Sequence, residues 1–246
     1  MAFISGCSKK AEMGSPANSG IQSSNTFFQV DATTAGSITG AIRFTGKKPP
    51  RKRIDMSEDP ACVAAHGGVA YDESLVVNAK GSLANAFVYV ERGLEGKTFG
   101  PSNALAVIDQ RGCWFRPRVL GVQTGQVLRV INSDPVTHNI HPMAEVNREW
   151  NHSQGPGDDP LIRKFIKPEV MIPIKCNIHS WMHAFVGVLP HPYFSVSKED
   201  GSFEIRNLPP GTYTIAVWQE RLGVQHHEIT ISPHANTVID FIYEGK

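Results

Sequence analysis

The chain has little net charge, few sulfur-bearing residues and no long apolar run. Its 24 Lys and Arg against 23 Asp and Glu leave a formal charge of +1, so no global field draws it to nucleic acid. The one basic run, Lys47-Lys48-Pro49-Pro50-Arg51-Lys52-Arg53, reads as a solvated loop. No stretch approaches the roughly 20 apolar residues of a membrane-spanning helix. A Ser-His-Asp order, a Gly-rich phosphate loop and a paired-carboxylate pattern are all missing, which removes the usual starting points for an enzyme reading.

What is present favours turns and strands. With 22 Gly and 17 Pro in 246 residues, and 41% hydrophobic residues, the composition suits many short strands better than long helices. The length permits one large β domain or two smaller ones. Residues 37–44 alternate, with Ile38, Gly40, Ile42 and Phe44 on one face, as a half-buried strand does. Ser74 to Asn78 and Ala84 to Val90 read as two more strands. Residues 59–68 suggest a single helical turn closed by glycine. Residues 145–160, rich in turn formers, read as a loop. Asp200-Gly201 is a hairpin signal followed by two alternating segments around Leu208-Pro209-Pro210-Gly211.

The most informative stretch is Cys176-Asn177-Ile178-His179-Ser180-Trp181-Met182. It spaces a thiolate, an imidazole and a thioether along one tight loop, which suits a metal that accepts soft sulfur beside nitrogen. His138 offers a second imidazole from a separate strand end. Singly, each residue reads as core filler or a packing residue. Together, two His and one Cys with a weak axial Met make the ligand set of a blue-copper electron-transfer centre. One copper held by His138, Cys176, His179 and Met182 is therefore the expectation. His141 and His183 read as rim or surface residues, and the other six histidines show no ligand spacing.

The four cysteines divide in the same sense. Ile4-Ser5-Gly6-Cys7 resembles a bacterial lipobox, and a polar tether follows it over 8–25. The apolar stretch before it is too short for a signal peptide, so a start further upstream is expected, with Cys7 lipidated and the protein exported. With Cys176 assigned to metal, Cys62 and Cys113 remain as a candidate disulfide in an oxidising compartment. A second metal site on Cys62 and His66 is the competing reading.

Residues 113–134 carry an aromatic and a Pro, a strand, a Gly turn and a β-rich strand ending in Asn and Asp. Thr137-His138-Asn139-Ile140-His141 follows. With the Cys176 loop and the strand after it, these segments resemble the cupredoxins, amicyanin more closely than plastocyanin, over about Ala104 to Pro190. That resemblance implies a Greek-key β-sandwich and gives Asn139 a role in steadying the Cys176 sulfur and its loop. It also implies that His179 lies near the surface where a partner docks, beside the apolar Ile178, Trp181, Pro142 and Met143. The C-terminal segment, with the earlier pieces Gly36 to Phe44 and Leu83 to Val90, resembles a carboxypeptidase regulatory-like, transthyretin-like domain.

The expected fold class is all-β: a cupredoxin domain over 103–190, inserted in or packed on a second small β-sandwich built from 36–95 and 191–246, behind an N-terminal tether over 1–25. The expected function is single-electron transfer in the periplasm or at the outer membrane, with a redox protein, a cytochrome or an oxidoreductase, as partner. Contact with a membrane is expected through a lipid anchor alone, with no nucleic-acid partner and no enzymatic reaction. The alternatives are copper storage or delivery, although only 6 scattered Met argue against a carrier, and a binding module in which copper is incidental.

Overall fold

The computed structural model describes residues 1–3 and 27–245, so Cys7 and the tether over 8–25 lie outside the described residues. The chain is almost wholly β. Strand β1 (Gly36–Gly46) leads through helix α1 (Pro60–His66) to β2 (Phe87–Arg92). Nine strands follow: β3 (Ala106–Gln110), β4 (Phe115–Arg116), β5 (Val119–Gln123), β6 (Leu128–Asn132), β7 (His138–Pro142), β8 (His152–Gln154), β9 (Leu161–Arg163), β10 (Glu169–Lys175) and β11 (His183–Leu189). The last six are β12 (Phe194–Val196), β13 (Ser202–Leu208), β14 (Gly211–Gln219), β15 (Gly223–Ile231), β16 (Asn236–Val238) and β17 (Phe241–Gly245). No helix among the described residues is long and apolar enough to cross a membrane.

These strands form four sheets. One runs β13-β1-β16, with β17 also paired to β1, and a second runs β12-β2-β14-β15. Between them lies a core of Ile38, Ile42, Leu83, Val88, Val90, Phe203, Ile215 and Val217. The nine strands β3 to β11, contiguous in sequence, make the other two sheets, β5-β11-β10-β7-β8 and β4-β3-β6-β9. Their core gathers Ile108, Phe115, Val130, Ile140, Ile172, Val186 and Val188. The first two sheets are thus built from chain on both sides of the last two. Such nesting leaves a host's strand pairing intact when the insertion leaves from a loop.

A third apolar cluster joins the two sandwiches. Phe87, Tyr89 and Ala216 of the first meet Val119, Met171 and Leu189 of the second, with Phe185, Phe194 and Trp218 around them. This explains β2, whose Phe87, Val88, Tyr89 and Val90 are all buried. A strand covered on both faces reads as a continuous apolar run. Two glycines make the contact possible. Gly121 and Gly187 are paired across β5 and β11, and a Cβ on Gly121 would come 2.3 Å from Phe194, one on Gly187 2.6 Å from Phe87. Any larger residue would collide with the aromatic rings that seat one sandwich on the other. A buried ion pair crosses the same boundary, the Arg118 Nη2 lying 2.8 Å from Glu220 Oε1.

Three expectations change. Ser74 to Asn78 is not a ladder strand: Val77 makes one isolated bridge to Leu83. Its flanks are spent on side-chain turns, Asp72 accepting from the Ser74 amide and Asn78 from those of Lys80 and Ser82, and such local bonds compete with a sheet ladder. Within the expected loop over 145–160, His152–Gln154 forms β8 against β7. Finally, Ile54, Met56, Cys62 and Ala70 pack into the core of the nine-strand unit. The connection between β1 and β2 therefore reaches out of its own sandwich and covers one end of the other.

Candidate metal centre

The ligand loop is the turn between β10 and β11, and it closes on itself. The Cys176 amide donates to the Met182 carbonyl at 3.1 Å, and the Met182 amide to the His179 carbonyl at 3.0 Å. The His179 amide turns inward and donates to the Cys176 sulfur at 3.4 Å. The sulfur takes a second backbone N–H, from Asn139 on β7, also at 3.4 Å. The Asn139 side chain ties the two segments together by accepting from the Asn177 amide at 3.2 Å. Met182, the last residue of the loop, is fully buried.

His138, at the first position of β7, meets His179 across the loop. Their Nδ1 atoms lie 3.0 Å apart, and the Cys176 Sγ lies 3.8 Å from the Nδ1 of His179. All three donors fall within 4.8 Å of one another, and all three residues are buried. The outer nitrogens are held by carboxylates. His138 Nε2 lies 2.7 Å from Asp134 Oδ2, and His179 Nε2 lies 3.0 Å from Asp59 Oδ2. Asp134 is fixed in turn by the amides of Gly112 and Cys113, at 2.6 and 2.8 Å.

The electrostatics follow from this arrangement. Burial pushes the Cys176 thiol up, but His138 and the amides of His179, Asn139 and Ile178 together outweigh it and bring the thiol from 9.0 down to about 7. Burial pushes His138 down, yet its bonds to Asp134 and Cys176 leave it above the ordinary 6.5. The pocket therefore favours the Cys176 thiolate and a protonated His138.

The donor set fits a soft-to-intermediate metal ion. When Nε2 of each imidazole donates to its carboxylate, both Nδ1 lone pairs point inward beside a thiolate, and only a proton or a cation relieves their repulsion. Ligands at about 2.0 to 2.3 Å from one ion stand about 3.3 to 3.8 Å from each other; the 3.0 Å between the imidazoles is a little short of that range and the 3.8 Å from sulfur to His179 is at its upper end. Carboxylate-bonded imidazoles are the usual support of metal-bound histidine. Two neighbouring groups, Asp59 with Cys62 and His179, and Asp134 with Cys113 and His138, supply no second site. Their sulfurs are joined in the Cys62–Cys113 disulfide, with S–S 2.02 Å. For the same reason Cys62 and His66 offer no thiolate pair, and His66 Nδ1 receives the Trp114 indole N–H at 3.0 Å.

His179 is not at the surface. It is 3% exposed, because α1 and its N-cap Asp59 lie over its outer edge and Trp181 packs beside it with ring centres 5.1 Å apart. Of the expected apolar rim, Ile178 is exposed while Pro142 is buried. His141 sits at the rim, pairing with Glu149 and lying 3.4 Å from Asn177 Oδ1, and His183 is exposed. The sequence reading did not include Asp134 or Asp59. Asp134 carries a weak signal, four residues before His138. Asp59 carries only that of a helix start, Asp before Pro60, and its role comes from a contact 120 residues away in sequence.

Among solved structures similar to this chain are cupredoxins. A purple cupredoxin from Nitrosopumilus maritimus is 21% identical over 34% of this chain and 98% of its own, with a TM-score of 0.29. A P96G mutant of amicyanin is 18% identical over 41% and 97%, with a TM-score of 0.31. A Cu-containing nitrite reductase from Thermus scotoductus is 20% identical with a TM-score of 0.33; the likeness covers 40% of this chain and spans only 24% of that enzyme's length. Residues 192–239 match the family described as Polysaccharide lyase family 4, domain II, within the first sandwich. No curated protein matches the chain.

Proposed function

We propose that the chain is an exported copper protein that carries single electrons, with His138, Cys176, His179 and Met182 as the ligands of one blue-copper centre. The observation that carries this reading is the convergence of two Nδ1 atoms and one sulfur at the buried end of a β-sandwich, with both outer nitrogens tied to carboxylates. Copper bound there would supply a one-electron couple that thiolate and imidazole ligands tolerate in both oxidation states.

The protein's own contribution is rigidity. Cys176 and His179 are locked by the hydrogen bonds of one short turn, His138 by Asp134, and the sulfur by the Asn139 amide. A site held this firmly changes little between oxidation states, and small rearrangement favours fast electron transfer. Met182 is read as a weak axial ligand that tunes the potential. With Met182 read as the fourth ligand, no open place would remain for a substrate, which favours a carrier over an enzyme. The partner is read as a redox protein, a cytochrome or an oxidoreductase. The first sandwich is read as a carboxypeptidase regulatory-like, transthyretin-like unit that carries the centre, and Cys7 as its lipid anchor.

The test is the visible spectrum of the copper-loaded chain, before and after ascorbate. An intense blue band that bleaches and returns on reoxidation is expected. Copper bound without that band, or lost on each cycle, would favour storage or delivery.

A further inference from the structure

The connection between β1 and β2 does more than join two strands of its own sandwich. Its helix α1 starts at Asp59, whose two carboxylate oxygens are divided between two tasks. Oδ1 caps the helix, accepting from the Ala61 and Cys62 amides at 3.0 and 3.2 Å. Oδ2 lies 3.0 Å from Nε2 of His179, on the second sandwich. Capping needs one oxygen. The other faces the imidazole.

The surroundings keep it there. Three residues after Asp59, Cys62 is bonded to Cys113, and its sulfur also touches His179 Nε2, at 3.6 Å. At the other end of α1, His66 takes the Trp114 N–H. The Trp181 indole, packed beside His179, donates to the Cys113 carbonyl at 3.1 Å. The helix is therefore pinned over His179 from both ends, although it is only seven residues long. The Asp59 side chain is about one-third exposed, at 30%, while that of His179 is 4% exposed, so the carboxylate shields the imidazole from water.

We infer that Asp59 is a positioning residue for the metal centre: reaching across from the other sandwich, it fixes His179 with its proton on Nε2 and its Nδ1 lone pair on the metal, and thereby lowers the reduction potential. The inference rests on the copper-carrier reading above. The physical reason is twofold. A carboxylate on the outer nitrogen makes the imidazole a stronger donor and locks its orientation. Its negative charge also favours the more positively charged oxidation state. The histidine from the ligand loop is thus governed by a part of the chain outside the cupredoxin-like unit, and that unit cut out alone would lack this control.

The experiment uses the full chain loaded with copper, in wild type and in Asp59→Ser, Asp59→Asn and Asp55→Ser. Serine keeps a helix cap but does not reach His179. Asparagine keeps the cap oxygen and removes the charge. Asp55→Ser deletes an exposed carboxylate whose partner is the Ser57 amide, and serves as the charge control. Three quantities are read: the reduction potential, the copper affinity, and the exchange of the His179 Nε2 proton with water in the Cu(I) form by nitrogen-edited NMR. Both Asp59 variants should show a raised potential, faster proton exchange and copper affinity lower by about 10- to 100-fold, while Asp55→Ser matches wild type. If Asp59→Ser does not fold, Asp59→Asn decides. Wild-type potential and wild-type proton exchange in a folded Asp59 variant overturn the inference, as does a potential raised equally by Asp55→Ser. Failure of the copper reading is distinct, because it shows in the wild type as an absent or irreversible blue band.

Discussion

Nδ1 of His138 stands 3.0 Å from Nδ1 of His179, and neither nitrogen has a protein hydrogen to share once both Nε2 atoms donate to Asp134 and Asp59. The Cys176 sulfur completes a triangle of donors, all within 4.8 Å of one another. Replacing Cys176 by Ser should abolish the thiolate charge-transfer colour of the copper-loaded chain, and visible absorption checks it. Replacing Met182 by Gln should keep copper and move the reduction potential, since an axial ligand tunes more than it holds.

Cys62 and Cys113 bring the two carboxylates to the two imidazoles. Asp59 precedes Cys62 by three residues, and the Cys113 amide donates to Asp134 at 2.8 Å. One covalent bond thus joins the segments that support both histidines. A peptide map of denatured, unreduced, alkylated protein should recover residues 62 and 113 in one linked fragment. Replacing both by Ala should cost about 2 to 4 kcal/mol of stability and shift the copper potential as well. A map with both thiols alkylated would dispose of this account.

Arg118 and Glu220 make a buried ion pair between the sandwiches, with side chains 7% and 10% exposed. Removing one partner strands the other charge away from water. Arg118→Met or Glu220→Leu alone should therefore cost about 3 to 5 kcal/mol, and the double replacement much less than the sum. Denaturant titration of the four proteins in the cycle measures the coupling. A coupling near zero would mean that water already screens the pair.

The loop from Cys176 to Met182 was legible because it is local: its spacing alone places sulfur and nitrogen on one turn. The strand alternation of residues 37–44 and 202–217 was legible for the same reason, since period-two burial is written in neighbouring positions. What escaped was tertiary. Asp59 looks like an ordinary helix cap, and nothing near it in sequence points to His179. His179, expected near the surface, is 3% exposed, and its cover was not legible because the covering helix comes from a distant connection. Residues 74–78 have strand-like composition, but Asp72 and Asn78 divert their neighbours' amides into turns. Why positions 121 and 187 are glycine is likewise visible only in the fold, where Phe194 and Phe87 sit against them.

His191, at the exit from the nine-strand unit, gives a pH dependence that is separate from the metal. It is 6% exposed, packed against Phe99 and Tyr193 with ring centres 6.3 and 5.9 Å away, and its Nδ1 accepts the Tyr193 amide at 3.3 Å. Burial brings its pKa from 6.5 down to about 4. The folded chain therefore holds it neutral where the unfolded chain takes up a proton. Since the unfolded state binds more protons between these values, stability from this group is complete above pH 6.5 and falls as the pH drops towards 4. The loss should reach about 3 kcal/mol and then level off. Replacing His191 by Gln keeps an acceptor for the Tyr193 amide and removes the titration. Urea denaturation of the metal-free chain from neutral to acid pH should then show wild type losing stability faster than His191→Gln across that window. Parallel curves would mean that His191 opens to water and is protonated in the fold.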